Sequence, residues 1–360
     1  MSRRAFIRWM LALLVMIGAA ATALWKLLEA SVAKQTSGGA AAGANPGVTA
    51  PKSEPAEEKA PEKPVDPTVP LFSYFIISDL HISQDDPNTI KHLKEALEDM
   101  KQFESPIEAL VMTGDLTEYG REKDYKDLRN ILSEYKLPPM YANMGNHDYY
   151  DIWIDKNGWF NKDTMPNSKT DWQSRERFQK FWGLDKPYHD ATVKGYHLIL
   201  MSQETYVQEK PEVGEGAWYS DEQLEWLKER LASHKDGKPV FVMTHQPLPP
   251  AGQDGGSHSL IPAKKFREIL KPYNNVFVFC GHRHQDFIGT MEHYVKDSAG
   301  FHYFHNSSVG RVLNRSYQNA AKERSQGLYV QVYSDRVTLR GREFSDRTWI
   351  KEADWTVKLV

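Results

Sequence analysis

The chain has 360 residues, a formal net charge of −3 and 40% hydrophobic residues, enough apolar material for a full-sized core. That balance carries no nucleic-acid-binding signature, which shows as a strongly basic face. A single cysteine, Cys280, excludes an intramolecular disulfide and leaves stability to packing.

Arg3, Arg4 and Arg8 precede an uncharged stretch from Trp9 to Trp25. This is the layout of an export signal or N-terminal membrane anchor, assigned to residues 1–33. Ser2-Arg3-Arg4-Ala5-Phe6-Ile7-Arg8 resembles a bacterial twin-arginine signal, because Phe6 and Ile7 follow the arginine pair. An ordinary secretory signal or anchor that carries two arginines is the alternative. Ala21-Thr22-Ala23 and Ser31-Val32-Ala33 both fit a small-x-small cleavage site, while the uncleaved span is just long enough to cross a bilayer. Either way the basic flank stays in the cytoplasm and the rest lies outside, secreted or in contact with the membrane through this segment. Residues 34–70 turn Gly/Ala-rich and then Pro/Glu/Lys-rich, and read as a disordered, semi-extended tether.

The domain is expected over residues 71–360. Apolar, strand-like runs occur at Phe72–Ile77, Ala109–Met112, Met140–Met144, His197–Met201, Val240–Met243 and Val276–Cys280. Amphipathic helices alternate with them: Ile90, Leu93, Leu97 and Met100 share one face, as do Tyr125, Leu128, Ile131 and Tyr135, and Leu224, Leu227 and Leu231. Doubly apolar strands alternating with helices predict an α/β fold, a two-sheet β-sandwich flanked by helices. The tail alternates instead, at Gly327–Tyr333, Arg336–Arg340 and Trp355–Leu359, and should end the chain as antiparallel strands. Residues 149–188 interrupt the rhythm with an aromatic-rich insertion (Trp153, Trp159, Phe160, Trp172, Phe178, Phe181, Trp182) placed to overhang whatever the preceding block builds. Most of these rings are expected to pack the domain flank and a minority to line a pocket.

Five short blocks follow apolar runs: Asp79-Leu80-His81, Gly114-Asp115, Gly145-Asn146-His147-Asp148, His245 and Gly281-His282-Arg283-His284. Residues i and i+2 of a strand project to the same side, so Asp-x-His and His-x-His are each expected to deliver two ligands to one point. Asp79 and Asp115 offer hard oxygens, Asn146 a neutral carbonyl oxygen, and His81, His245, His282 and His284 imidazole nitrogens. Asp115, with two oxygens on one carboxyl, can bridge two cations. Glycines at 114, 145 and 281 let the chain turn sharply beside the cluster. Two divalent ions, two carboxylates and one hydroxide sum to about +1, a well suited to a phosphoryl group, and a metal-bridging water is a nucleophile at neutral pH.

The ordered set resembles the calcineurin-like metallophosphoesterase superfamily over roughly residues 71–310. By that resemblance Asp79, His81, Asp115 and His284 bind a first metal, and Asp115, Asn146, His245 and His282 a second. His147 faces the substrate as the catalytic histidine, and Asp148 orients it or serves as a surface or capping residue. The arginine that follows Gly-Asp in Ser/Thr protein phosphatases is missing from Gly114-Asp115-Leu116-Thr117-Glu118-Tyr119-Gly120. Tyr119 stands one position too late for the metal-binding tyrosine of purple acid phosphatases. What remains is similar to the bacterial class III cyclic-nucleotide and glycerophosphodiester phosphodiesterase branch, down to Thr244-His245-Gln246-Pro247. The resemblance implies two divalent or trivalent ions (Mn, Fe, Zn or Co) and a phosphorylated small-molecule, lipid or cell-envelope substrate; a phosphomonoesterase or a non-catalytic scaffold are the alternatives. Outside the blocks, His189, His197, His293, His302 and His305 read as surface or packing residues and His258 as a solvated loop histidine. Arg283 is expected to point away from the metals, and Asn306-Ser307-Ser308 to support the site edge.

Overall fold

Phe72, Tyr74 and Ile76 turn to one side of the first strand while Phe75 and Ile77 turn to the other, and both sides are buried. The computed structural model describes residues 66–234, 237–320 and 324–360. The export signal over 1–33 and the tether as far as residue 65 lie outside the described residues. Among those described, no helix is long and apolar enough to cross a membrane.

The elements alternate as β1 (Phe72–Ile77), α1 (Pro87–Lys101), β2 (Ala109–Thr113), α2 (Glu122–Ser133), β3 (Met140–Asn143), α3 (Asp171–Trp182), β4 (His189–Val193), β5 (Tyr196–Leu200), α4 (Asp221–Ser233), β6 (Val240–Met243), α5 (Ala263–Leu270), β7 (Val276–Cys280), β8 (Tyr294–Lys296), β9 (His302–His305), β10 (Gln326–Val332), β11 (Arg336–Glu343) and β12 (Thr348–Lys358). They make two mixed sheets, ordered β12-β11-β10-β1-β2-β3 and β4-β5-β6-β7-β9-β8. In the first, β1, β2 and β3 run parallel and β10, β11 and β12 continue as an antiparallel meander from β1. In the second, β5, β6, β7 and β9 are parallel, with β4 and β8 antiparallel at the two edges.

The sheets pack face to face through one apolar layer. Phe72, Tyr74, Ile76 and Val111 of the first meet Leu198, Phe241, Phe277 and Phe304 of the second. Phe72 stacks on Tyr196 at 5.3 Å between centroids, and Tyr74 meets Phe241 edge-on at 5.3 Å. The outer face of the first sheet buries Leu93 and Leu97 of α1 and Leu128 and Ile131 of α2. The outer face of the second buries Leu224, Leu227 and Leu231 of α4 and Phe266 and Leu270 of α5. Each such side chain stabilises the fold by about 1.5–3 kcal/mol relative to its exposed state. The result is the α/β two-sheet sandwich flanked by helices that the patterning predicts.

One feature differs from expectation. The tail strands run longer than their apolar alternation, because β11 continues through Gly341-Arg342-Glu343. There Arg342 forms a bidentate pair with buried Asp99 of α1, and a Cβ at 341 would overlap that of Ala353. Most rings of the insertion pack the flank as expected, with Phe181 and Trp182 joining Trp153 and Phe178 against the core on the outer side of the first sheet. Trp153 and Phe178 are buried, whereas Trp159 (73% exposed) and Trp172 (56%) stand largely in solvent.

Candidate metal centre

All five blocks sit in loops at the carboxyl ends of β1, β2, β3, β6 and β7, so parallel strands from both sheets converge on one point. The side chains do not arrive by strand alternation. Asp79, His81, Asp115, His282 and His284 all adopt positive φ, between 48° and 72°, a conformation that costs non-glycine residues energy and is held in place by its surroundings. The strands end before the ligands, at Ile77, Thr113 and Cys280. Only Gly114 of the three glycines turns with positive φ. Gly145 and Gly281 are needed for space: a Cβ would overlap the Asp115 carboxylate at 145 and Ser78 and Asp79 at 281.

The donors form two groups that share Asp115, and His81 also stands within reach of a third set with Glu118 and His147. Asp79, His81, Asp115 and His284 make one, and Asp115, His245 and His282 the other. In the first, His81 Nε2 lies 3.0 Å from His284 Nε2, and His284 Nε2 lies 3.1 Å from Asp79 Oδ1. In the second, His245 Nε2 lies 3.2 Å from Asp115 Oδ2, and Asn146 Oδ1 is 3.2 Å from His245 Nε2 and 3.0 Å from His282 Nδ1. Donors about 2.1 Å from one ion at right angles stand about 3.0 Å apart, so both groups have the spacing of a cation's ligand set.

The tautomers agree. His81 Nδ1 is 2.9 Å from Glu118 Oε2 and His245 Nδ1 is 2.8 Å from the Thr113 carbonyl. Each ring therefore donates outward through Nδ1 and turns Nε2 into the cluster, the orientation of metal-binding histidines. The groups also shift one another's ionisation. Burial works to raise Asp79, but His284 and His245 hold it down to about 2. Burial works to lower His245, but Asp115 lifts it to about 9. Burial and the neighbouring His245 push His282 down to about 3.

His147 stands beside the cluster without joining either group. Its backbone N–H donates to Asp115 Oδ1 at 2.8 Å, and its Nδ1 to the Glu118 carbonyl at 3.1 Å. The ring stacks on Tyr150 at 4.0 Å. Burial lowers its imidazole to about 4, so Nε2 is the free nitrogen. With Asn146, Tyr150, Glu215 and His282, His147 lines an open cavity of about 500 Å³.

Asp148 does not orient His147. It is fully buried and accepts from the backbone N–H of Leu116, Thr117 and Gly145, from Thr117 Oγ1 and from Tyr125 Oη. It thus ties the loop carrying Asp115 to the loop carrying Asn146. Burial, with Asp115 nearby, raises its carboxyl to about 6. Asp148→Ala strands several buried donors at about 1–3 kcal/mol each. A loss of roughly 3 kcal/mol or more is expected in urea unfolding, and an unchanged midpoint would refute this fastening role.

Sequence reasoning missed Glu118 and Glu215. Glu118 accepts from His81 and from Arg311 Nη1 at 2.8 Å, and against its burial these hold it down to about 2. Glu215 Oε2 accepts from Asn146 Nδ2 at 2.9 Å and from Tyr150 and Tyr206 at 2.8 Å, turning the Asn146 carbonyl oxygen toward the histidines. Both look like solvated loop carboxylates in sequence. Glu118→Gln is expected to weaken metal binding about 10–100-fold, read as the metal concentration that restores activity after chelation; an unshifted curve would remove that role. Ser308 Oγ donates to the Asp79 carbonyl at 2.9 Å, so the Asn306–Ser308 segment does support the site edge. His293, His302 and His305 are buried packing residues. His258, read as a solvated loop histidine, is exposed at the rim of the cavity, and Arg283 is half-buried in its wall.

Residues 72–286 match the calcineurin-like phosphoesterase family. The chain is 22% identical to the 3',5'-cyclic adenosine monophosphate phosphodiesterase CpdA of Escherichia coli K12, over 55% of this chain and 62% of that enzyme. It is 21% identical to the glycerophosphodiester phosphodiesterase GpdQ of Enterobacter lignolyticus, over 49% of this chain and 56% of that enzyme. The chain thus spans less than two thirds of either relative. A dimetal phosphatase from Danio rerio shares the fold, with a TM-score of 0.55 and 14% identity over 81% of this chain and 100% of that one.

Proposed function

The chain belongs to the calcineurin-like phosphoesterase family, and from that premise we propose that it is a two-metal phosphodiesterase acting outside the cytoplasm. The observation that carries the reading is the complete donor set, drawn into two groups that share Asp115, with His147 kept beside them and outside both. Asp79, His81, Asp115 and His284 would hold one ion, and Asp115, Asn146, His245 and His282 the other; oxygen and imidazole donors suit Mn, Fe, Zn or Co. Such ions neutralise phosphoryl charge and make water acidic enough to act as a nucleophile near neutral pH.

The chain's own residues do the rest. Asp115 anchors the His147 backbone, so the histidine keeps a constant offset from the cluster. The Glu118 carbonyl accepts a hydrogen bond from Nδ1, which leaves a bare Nε2 toward the cavity to take a proton released by water in the site and pass it to a departing alkoxide. The preference for diesters over monoesters rests on the relatives that hydrolyse cyclic AMP and glycerophosphodiesters. Export rests on Arg3, Arg4, Arg8 and the uncharged stretch that follows.

The test is purified protein with measured metals, assayed on phosphomonoesters, cyclic nucleotides, glycerophosphodiesters and phospholipid head groups. Diester turnover that vanishes on chelation and returns with metal is expected. Bound metal with no turnover across the panel would favour a scaffold, and monoester preference would favour a phosphomonoesterase. Fractionation of cells making the full chain, with and without Arg3→Lys and Arg4→Lys together, tests export. Cytoplasmic recovery of the unaltered chain would overturn it.

A further inference from the structure

Between α2 and α3 lies a cleft of about 250 Å³, and none of its residues lines the cavity over the candidate metal centre. Its walls are cationic. Lys126 and Arg129 come from one face of α2 and Arg177 and Lys180 from one face of α3, with Glu122 the single carboxylate among them. The floor is aromatic: Tyr125 and Phe181 stand 5.2 Å apart between centroids, and the Arg129 guanidinium lies 4.8 Å from the centre of the Phe181 ring. Arg177 already has partners, the Gly120 carbonyl at 2.8 Å and Asp151 at 3.1 Å. Lys126, Arg129 and Lys180 are exposed and hold neither a carboxylate nor a hydrogen-bond acceptor among the described residues. Other helix lysines do: Lys94 pairs with Glu134, and Lys228 with Glu225. Four cations against one carboxylate repel one another, a local excess in a chain of net charge −3. An anion seated among them removes that repulsion.

We propose that this cleft is a binding site for a phosphate group, free or carried as the head group of an anionic lipid, with Lys126, Arg129 and Lys180 as its ligands. The oxygens of a phosphate can meet several separate cations at once, whereas a carboxylate is filled by one guanidinium fork. Three unpaired cations on two helices therefore fit a phosphate better. The inference does not depend on the phosphoesterase reading, because no residue of the metal centre takes part. Tyr125 and Arg177 also hold Asp148 and the Gly120 carbonyl, so the test leaves both unaltered.

The experiment reads acetylation of individual lysines by mass spectrometry in metal-loaded, full-length protein reconstituted in phosphatidylcholine vesicles. One arm adds inorganic phosphate, compared with chloride at equal ionic strength. The other replaces part of the lipid with phosphatidylglycerol. Labelling of Lys126 and Lys180 is expected to slow about tenfold once the anion stands at about ten times its dissociation constant, while exposed Lys228 keeps its rate. Protection by phosphate alone assigns the site to a free anion, and protection by phosphatidylglycerol alone assigns it to a lipid head group. In Arg129→Ala the anion concentration giving half protection should rise about tenfold, the scale of one lost charge-assisted contact. Lys180→Gln, read at Lys126, should do the same. Equal protection by chloride, no protection in either arm, or an unshifted curve in both variants overturns the proposal.

Discussion

Asp115→Asn is expected to abolish two-metal occupancy and to lower kcat/KM by roughly 10³-fold or more, the several kcal/mol that such ions contribute to phosphoryl transfer. The substitution preserves shape and removes charge at the one residue common to both donor groups. Asp115 Oδ2 faces His245 Nε2 at 3.2 Å and His81 Nε2 at 3.7 Å, while Oδ1 accepts the His147 N–H. An amide satisfies that N–H only by turning its NH₂ toward the histidines, where it presents hydrogens instead of a lone pair. Elemental analysis of the purified variant checks this. Two ions per chain at wild-type affinity would remove Asp115 as the shared ligand.

His147→Ala is expected to do the opposite to the two observables: metal content unchanged, turnover down by about 10²–10⁴-fold. The backbone N–H that meets Asp115 survives in alanine, and no nitrogen of the His147 ring belongs to either group that shares Asp115. The loss should be largest for an alkoxide leaving group, which needs a proton, and smaller for p-nitrophenolate, which does not. Equal losses on both substrates would assign His147 to binding. Undiminished turnover of an alkyl diester would remove it from the reaction.

The blocks were legible because each carries its chemistry locally. Asp79-x-His81 and His282-x-His284 bring their donors close along the chain, and the buried runs before them mark β1 and β7. The mechanism of delivery was not legible, since left-handed backbone at Asp79, His81, His282 and His284 replaces strand alternation. Such a conformation is imposed by neighbours and leaves no composition signal. The edge strands β4 and β8 escaped notice too. Their residues are partly exposed and their order comes from one partner strand each.

Ligand identity, the alternation of buried strands with amphipathic helices and the likeness to phosphoesterases were therefore properties of the sequence alone. They depend on residue type and on spacings of a few positions. The tertiary structure alone decided that Asp148 fastens two loops and does not orient His147. It also decided that Glu118 and Glu215 aim the ligands His81 and Asn146. Arg311 reaches Glu118 across 193 positions and Glu215 reaches Asn146 across 69. A charged loop residue looks solvated until the fold removes its water, and only then do its partners give it a role.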